Sequence, residues 1–223
     1  MNNLIGLGVS YLFVFFVLAS AAYLQKRLGI SAGVTRKIIH VSVSHWWLLL
    51  MFFFDSLWYA VIGPISFIIL NYLSYRYHLM PAMELKESSK NLGTVYFPVS
   101  LLVLVTLGFL DVIPLYAGAV GIFIMGYGDG FASLFGQEFG KIKMVTWGGT
   151  KSLLGTAVMF IVSAAVTGII TYVFHPLGRD PATVMMLMVV IAGTAAVVEV
   201  VTPFGLDNIT VPIISALLYS RLI

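Results

Sequence analysis

The stretch that decides the fold is GYGDGFASLFGQEFGKIKMVTWGGTKSLLGT, residues 126–156, in which an apolar segment ends in a connection rich in glycine and lysine. Asp129 lies about one helical turn inside the edge of the apolar segment, where a carboxylate costs about 2.5–3.5 kcal/mol on membrane-insertion scales. The next apolar segment begins at Thr150, its predicted N-cap. Free backbone N–H groups at that helix start, beside Lys151, form a binding site for phosphate. The stretch therefore predicts a phosphate-handling site at a membrane surface.

Composition places the rest of the chain in the membrane as well. Of its 223 residues, 60% are hydrophobic and 9% are charged, and several continuous apolar runs are long enough to cross a bilayer. Continuous rather than alternating runs exclude a β-barrel. The chain has no cysteine, which excludes disulfides, thiol catalysis and cysteine-based zinc sites. We therefore predict an all-α, polytopic integral membrane bundle that forms one catalytic domain over residues 1–223.

The apolar runs predict eight membrane spans, or seven if the short last one is re-entrant. Two pairs of spans are joined by two residues each and form tight hairpins, at 55–56 and at 111–112. We read the first run as a retained helix, because the residues before it carry no Lys or Arg. The predicted spans are 4–24, 38–54, 57–75, 94–110, 113–134, 152–174, 183–202 and 209–222.

Positive charge lies mostly in alternate connections. The positive-inside rule makes the face with these connections cytoplasmic and the N-terminus external. We expect a prokaryotic cell membrane, with the active site on its cytoplasmic face. The basic residues on this face are Lys26, Arg27, Arg36, Lys37, Arg76, Lys86, Lys90, Lys141, Lys143 and Lys151.

The first connection supplies RKIIH, residues 36–40, where helical spacing places His40 beneath Arg36 and Lys37 on one face. Two cations at this spacing suit the oxygens of a nucleotide phosphate, with the histidine orienting one of them. The alternative is structural: two side chains that reach the lipid headgroups and a histidine bonded between helices.

Further nucleotide-binding candidates lie around the organising stretch. Lys151, Ser152 and Gly155 form KSxxG at a helix start, although the spacing of a Walker motif is absent. Glycines four residues apart, such as Gly136 and Gly140, leave a bare helical face that a helix or a ligand can approach closely. Lys141 follows directly and adds positive charge.

Three acids, Asp129, Glu199 and Asp207, approach the predicted cytoplasmic face. Acids beside lysines are how a magnesium–nucleotide complex is held, so we predict a Mg²⁺ site on these three. Asn208, beside Asp207, is a further nucleotide-binding candidate. The structural alternative makes Asp207 or Asn208 an ordinary helix cap. Second-rank candidates in the third connection are Glu84, Lys90 and Asn91.

Four motifs together resemble the polyprenol kinase family, which includes dolichol kinases, phytol kinases and CTP-dependent diacylglycerol kinases. They are RKIIH at 36–40, GDGFASLFGQEFGK at 128–141, KSLLGT at 151–156, and the segment from Glu199 through DNITVP to residue 212. The resemblance implies transfer of the γ-phosphoryl group of CTP to the hydroxyl of a membrane lipid, with a divalent metal. By position, the motif residues are Arg36, Lys37, Asp129, Gly136, Lys151, Glu199, Asp207 and Asn208.

Two alternatives remain open at this point. The stretch from Asp129 to Gly155 also resembles the CTP-binding region of CDP-diacylglycerol synthases, which transfer a nucleotide rather than a phosphoryl group. Their distal His-Gly-Gly run and acid-Arg-x-acid cluster are absent, which favours the kinase. A small-molecule transporter is the alternative of another class, but the acids crowd one face instead of mid-bilayer. We expect the catalytic side chains to be Asp129, Lys151, Arg36 and Lys37, the partners to be a nucleotide triphosphate and a lipid alcohol, and no nucleic-acid partner.

Overall fold

The computed structural model describes residues 2–77, 92–147, 149–174 and 180–223, and its architecture is a bundle of helices with one small β-hairpin. The α-helices are α1 (Asn3–Leu28), α2 (Ala32–Ser44), α3 (Trp46–Phe53), α4 (Leu57–Ala60), α5 (Ile62–Tyr77), α6 (Gly93–Phe109), α7 (Leu115–Phe123), α8 (Gly130–Glu138), α9 (Leu153–Phe174), α10 (Pro181–Val201) and α11 (Asp207–Leu222). A π-helical turn, Ile124–Asp129, joins α7 to α8, and the hairpin consists of β1 (Lys143–Thr146) and β2 (Gly149–Ser152).

The predicted spans correspond to these helices, which confirms the all-α membrane bundle. Among the described residues, five continuous helical segments are long and apolar enough to cross a membrane: 3–28, 57–77, 115–138, 153–174 and 181–201. The segment 115–138 is the central one, because 67% of its apolar window is buried against 22–33% in the other four. Both predicted tight hairpins are present, and Asp111 adopts a left-handed φ of 56° in the second of them.

The second predicted span is divided in two. Its helix begins at Ala32, six residues before the predicted start, because the side chain of Ser31 accepts a hydrogen bond from the backbone N–H of Val34. It then breaks at His45, whose Nδ1 bonds the carbonyl oxygen of Val41 at 3.0 Å. The hydroxyl of Tyr127 and His45 Nε2 are hydrogen-bonded at 2.8 Å, so this break is connected to the central segment.

The connection after α8 differs from our prediction. β1 and β2 pair as an antiparallel hairpin in which Met144 lies opposite Lys151, instead of a simple turn before the next helix. Thr150 therefore lies in β2, and the N-cap of α9 is Ser152, whose Oγ accepts from the N–H of Gly155 at 3.0 Å. The prediction that Thr150 caps α9 was wrong because the strand pairing continues to Ser152, two residues beyond Thr150.

The last helix runs the whole length of the bundle. Asp207 begins α11 close to the start of α9, whereas the hydroxyl of Tyr219 lies 3.0 Å from Thr171 Oγ1, near the far end of α9. The Tyr219 ring also contacts Tyr116 at the beginning of α7, with ring centroids 6.3 Å apart. A re-entrant segment would return to the end where it started, so the structure favours eight spans over seven.

The orientation predicted from charge can be tested directly because the chain has no native cysteine. Val112 lies 55% exposed between α6 and α7, and Ile142 lies 64% exposed just before the hairpin, at the opposite end of the central segment. We expect a membrane-impermeant maleimide to label Val112→Cys in intact cells and Ile142→Cys only after lysis. The reverse pattern would contradict an external N-terminus.

Candidate active site

A cavity of about 340 Å³ lies at the end of the bundle where α8 ends and α9 begins. Eight of the described helices, the π-helical turn and the hairpin contribute to its walls, so its residues come from most of the chain. One part of the wall is polar and charged, and it includes Arg36, Lys37, His40, Asp129, Ser133, Gly136, Gln137, Lys143, Thr150, Lys151, Ser152, Gly155, Thr156, Glu199, Thr202, Asp207 and Asn208. The other part, which we call the apolar arm, is formed by Val14 and Leu18 of α1, Val43 of α2, Phe67 of α5, and Phe97 and Leu101 of α6.

Asp129 and Lys37 form a buried ion pair. Lys37 Nζ donates to Asp129 Oδ2 at 2.5 Å, and the two side chains are 10% and 7% exposed. His40, one turn along α2, places its Nδ1 3.8 Å from the same carboxylate oxygen. Lys37 and His40 therefore lie on one face of α2, as their helical spacing predicted, and that face is directed at Asp129. Removing one partner from such a pair is costly, about 3–5 kcal/mol, because the other charge stays buried.

Lys151 forms the second charged centre of the site. Its Nζ donates to Glu199 Oε1 and lies 3.5 Å from Asp207 Oδ2. Burial by itself lowers the pKa of Lys151, but the carboxylates of Glu199 and Asp207 outweigh burial and raise the pKa above its usual value. Lys151 is therefore a permanent cation at neutral pH.

A left-handed turn before α11 positions Asp207. Phe204 and Gly205 adopt φ values of 57° and 78°, which reverse the chain between α10 and α11. Asn208 then donates from its backbone N–H and from its side-chain Nδ2 to Asp207 Oδ1, each at 3.0 Å. Because Oδ1 is engaged in this way, Oδ2 is the oxygen that faces Lys151. Asn208, predicted to bind nucleotide, thus orients an acid at the cavity wall.

The three predicted metal ligands come together. One carboxylate oxygen from each of Asp129, Glu199 and Asp207 lies within 4.8 Å of the other two, and all three residues are buried. Oxygen donors of this kind are what a hard cation such as Mg²⁺ binds. The donor set therefore fits the predicted ion, with two lysine amines also within the cluster.

The glycine-rich faces are occupied by neighbouring helices instead of forming an open slot. A Cβ on Gly126 would lie 2.5 Å from Ser44 Oγ of α2, and one on Gly130 would lie 2.7 Å from Val41 of α2. A Cβ on Gly136 would lie 2.6 Å from Ser152 Oγ and 3.1 Å from the Cα of Gly155. These glycines allow close backbone contact that brings α2 and α9 to Asp129. Of the two alternatives predicted for these faces, approach by a helix is therefore the one that the structure shows at Gly126, Gly130 and Gly136.

Two lysines differ in their relation to the cavity. Lys141, predicted to bind nucleotide, is exposed and does not line it. Lys143 lines it instead, and its Nζ donates to the carbonyl oxygen of Gly136 at 3.1 Å. The Gly148-Gly149 pair was a turn signal compatible with a hairpin, although the residues on its two sides do not alternate between apolar and polar. The second-rank candidates Glu84, Lys90 and Asn91 lie outside the described residues.

Comparison with known proteins identifies the family. No protein-family model and no solved structure matches the chain. A curated phytol kinase from Synechocystis sp. is 33% identical over 178 residues, which cover 76% of this chain and 72% of the relative. The chain belongs to the polyprenol kinase family. The protein is therefore a phosphotransferase that acts on an alcohol, and the family favours a kinase over a nucleotidyltransferase or a transporter.

Asp129 is expected to be indispensable to the activity of the protein. We expect Asp129→Asn to lower phosphoryl transfer by about 100-fold or more, because the substitution would remove a charge that we predict to lie beside the reacting groups. Activity is measured on detergent-solubilised protein, with membrane insertion checked by fractionation. Near-normal activity would refute the role of Asp129.

Two companion variants separate chemistry from folding in that experiment. Asp129→Glu keeps the charge that Lys37 requires but displaces the carboxylate, so we expect a folded protein with greatly reduced activity. Asp180→Asn is the matched control, because Asp180 is an exposed N-cap whose Oδ1 accepts from the N–H of Thr183 at 3.0 Å, and asparagine caps equally well. It should retain both activity and thermal stability.

The close contact of α8 with α9 gives a prediction about stability. Gly136→Ala adds a Cβ against Ser152 Oγ and the Gly155 backbone, so we expect overpacking to cost about 1–3 kcal/mol and lower Tm. Gly8→Ala is the control, because a Cβ there meets nothing within 4 Å and alanine favours a helix. Equal thermal melting curves for the two variants would contradict this account of the glycine contact.

Proposed function

We propose that this member of the polyprenol kinase family transfers the γ-phosphoryl group of CTP to the hydroxyl of a membrane lipid alcohol of the polyprenol, phytol or diacylglycerol type, on the cytoplasmic face of the membrane. The observation that carries the proposal is one cavity with two kinds of wall. Three buried carboxylates and two buried or half-buried lysines from distant parts of the chain line one part, and apolar side chains from α1, α2, α5 and α6 line the other. A polar phosphate donor and an apolar acceptor can therefore meet in the same cavity.

The cations of the site suit a nucleotide triphosphate. Arg36, Lys37, Lys143 and Lys151 all line the cavity, and their charges would bind phosphate oxygens and stabilise the negative charge that spreads over the transferred group. Lys37 and Lys151 are held in place by their ion pairs with the acids. Such fixed charges stabilise a transition state without having to reorganise during the reaction.

The reaction balances as a direct displacement. The hydroxyl oxygen of the alcohol forms a bond to the γ-phosphorus, and the bond from that phosphorus to the bridging oxygen of the β-phosphate breaks, which releases CDP. The hydroxyl proton passes to a carboxylate of the site and then to water. The clustered carboxylates of Asp129, Glu199 and Asp207 are the candidate acceptors of this proton. Holding the two reactants together in one cavity supplies much of the rate enhancement.

A divalent cation belongs to this proposal as a cofactor. Asp129, Glu199 and Asp207 would hold Mg²⁺, which when bound neutralises phosphate charge and aligns the phosphates for transfer. The lysines of the site then contact the phosphate oxygens that remain.

Positional labelling tests the reaction. The purified protein is incubated with Mg²⁺, a panel of lipid alcohols that includes phytol, a polyprenol and a diacylglycerol, and CTP labelled with ³²P at either the α or the γ position. We expect label on the lipid from γ-labelled CTP alone, and less transfer from ATP at the same concentration.

Other outcomes of this experiment are equally informative. Label from α-labelled CTP would mean nucleotidyl transfer and would overturn the proposed reaction. Stronger transfer from ATP would overturn the choice of donor while keeping the kinase. Omission of Mg²⁺ with a chelator present is the control for the cofactor, and full activity under those conditions would contradict the metal site.

A further inference from the structure

The apolar arm is the part of the cavity that the charged residues leave unexplained. Its walls belong to two helix pairs, since α1 packs on α2 and α5 packs on α6. The pairs are joined where the Tyr11 hydroxyl and Ser66 Oγ lie 2.9 Å apart and the Tyr11 ring tilts against Phe67. Leu18 lies seven residues beyond Tyr11 on α1, about 10 Å nearer the charged end. The arm is therefore a gap between helix pairs whose floor is the Tyr11–Ser66 contact.

The outer surfaces beside this gap are apolar. Leu12, Phe15 and Phe16 of α1 are each at least 70% exposed, and Ile69 and Leu70 of α5 are about half exposed. In helices that cross a membrane such side chains face lipid hydrocarbon. The gap between α1 and α5 therefore adjoins the bilayer interior, from which an aliphatic chain can enter sideways.

At the charged end of the arm lies a buried nitrogen. The His40 ring stands edge-on to Phe97, with centroids 4.1 Å apart and an interplanar angle of 88°. Its Nδ1 faces Asp129, and within the described part of the chain its buried Nε2 has no hydrogen-bond partner. A buried polar atom without a partner is costly, so this nitrogen is set to bond a group that enters the cavity. It lies where the apolar arm meets the acids.

The size of the cavity limits what the arm can hold. The whole cavity, about 340 Å³, is at the lower end of the range of small-molecule pockets, roughly 300–1,000 Å³, and the charged part takes a share of it. The Asn71 side chain is tied by Nδ2 to the carbonyl oxygen of Thr94 at 2.7 Å, which keeps α5 close to α6 and narrows the space. The arm has room for the head of one chain, and the rest of that chain would lie in the bilayer.

We propose that the apolar arm binds a single aliphatic chain of the acceptor alcohol, which enters between α1 and α5, and that the alcohol hydroxyl donates a hydrogen bond to His40 Nε2 when the acceptor binds without nucleotide. When the nucleotide is present, the hydroxyl turns from His40 to the carboxylate that takes its proton. This inference rests on the proposed function and makes it more specific. It selects alcohols with one chain over diacylglycerol, because a second chain would have no place beside the first. It also assigns His40 to the acceptor instead of the nucleotide.

Photo-crosslinking tests the arm without depending on catalysis. A phytol analogue with a diazirine near its hydroxyl is irradiated with the purified protein in detergent, with no nucleotide present, and the modified residues are mapped by mass spectrometry. We expect adducts on α1, α5 and α6 within the arm, which excess phytol removes and dioleoylglycerol does not. Leu18→Trp should lower the yield about tenfold by filling the arm, whereas Leu12→Trp, the same change on the lipid-facing side of α1, should leave it unchanged.

Kinetics test the acceptor role of His40. We expect His40→Phe to raise KM for phytol severalfold while KM for CTP stays the same, and His40→Gln, whose amide can accept the same hydrogen bond, to restore part of the loss. If His40 had only a structural role, the substitution would change KM for both phytol and CTP or for neither. A rise in KM for CTP alone would return His40 to the nucleotide site.

The outcomes separate this inference from the proposed function. Adducts outside the arm, or equal yields from Leu18→Trp and Leu12→Trp, overturn the acceptor site even if γ-phosphoryl transfer is found. Efficient competition by dioleoylglycerol overturns the single-chain selection. Adducts confined to the arm with no label transfer from CTP keep the chain-binding site and refute the proposed donor.

Discussion

The burial of charge at one end of an otherwise apolar bundle is the constraint on which the rest of the structure depends. Asp129, Glu199 and Asp207 are all buried, and each lies beside a lysine amine. An isolated buried charge costs several kcal/mol, so each carboxylate can remain ionised only where an amine reaches it. Lys37 and Asp129 are 92 residues apart in the chain, and Lys151 and Glu199 are 48 apart. The ion pairs thus fix how α2, the central segment, the hairpin, α10 and α11 are placed around the cavity.

Close helix packing makes those ion pairs geometrically possible. The π-helical turn ends at Asp129, and it directs Gly126 toward α2 while Gly128 faces Met159 and Ser163 of α9. Short side chains on both surfaces let the backbones approach, which is the usual way that helices associate where lipid supplies no hydrophobic driving force. π-Helical turns occur often at functional sites. Here the turn lets one residue, Asp129, be approached from α2 on one side and stay near α9 and α11 on the other.

A kinase that acts on a lipid alcohol has to bring together a water-soluble donor and an acceptor dissolved in the bilayer. Under the function that we propose, the division of the cavity into a charged part and the apolar arm would let each reactant meet a wall of its own character. Lys151 is carried on β2, outside the helices, so the hairpin places a permanent cation over the charged part. If the acceptor lies as we propose, His40 stands at the boundary, between Phe97 of the arm and Asp129 of the acid cluster.

The sequence alone determined the membrane bundle and the approximate limits of its spans, and it singled out the three acids and, among the lysines, Lys37 and Lys151 of the cavity wall, because long apolar runs and costly intramembrane charges are local signals. It could not determine the break at His45, the hairpin at 143–152 or the cap at Ser152, since these depend on partners such as Tyr127 and on strand pairing. Only the tertiary structure decided which glycine faces are filled by helices and where the apolar arm lies. Packing between segments that are distant in the chain sets both of these features. The hydropathy of one segment does not indicate which other segments cover its faces.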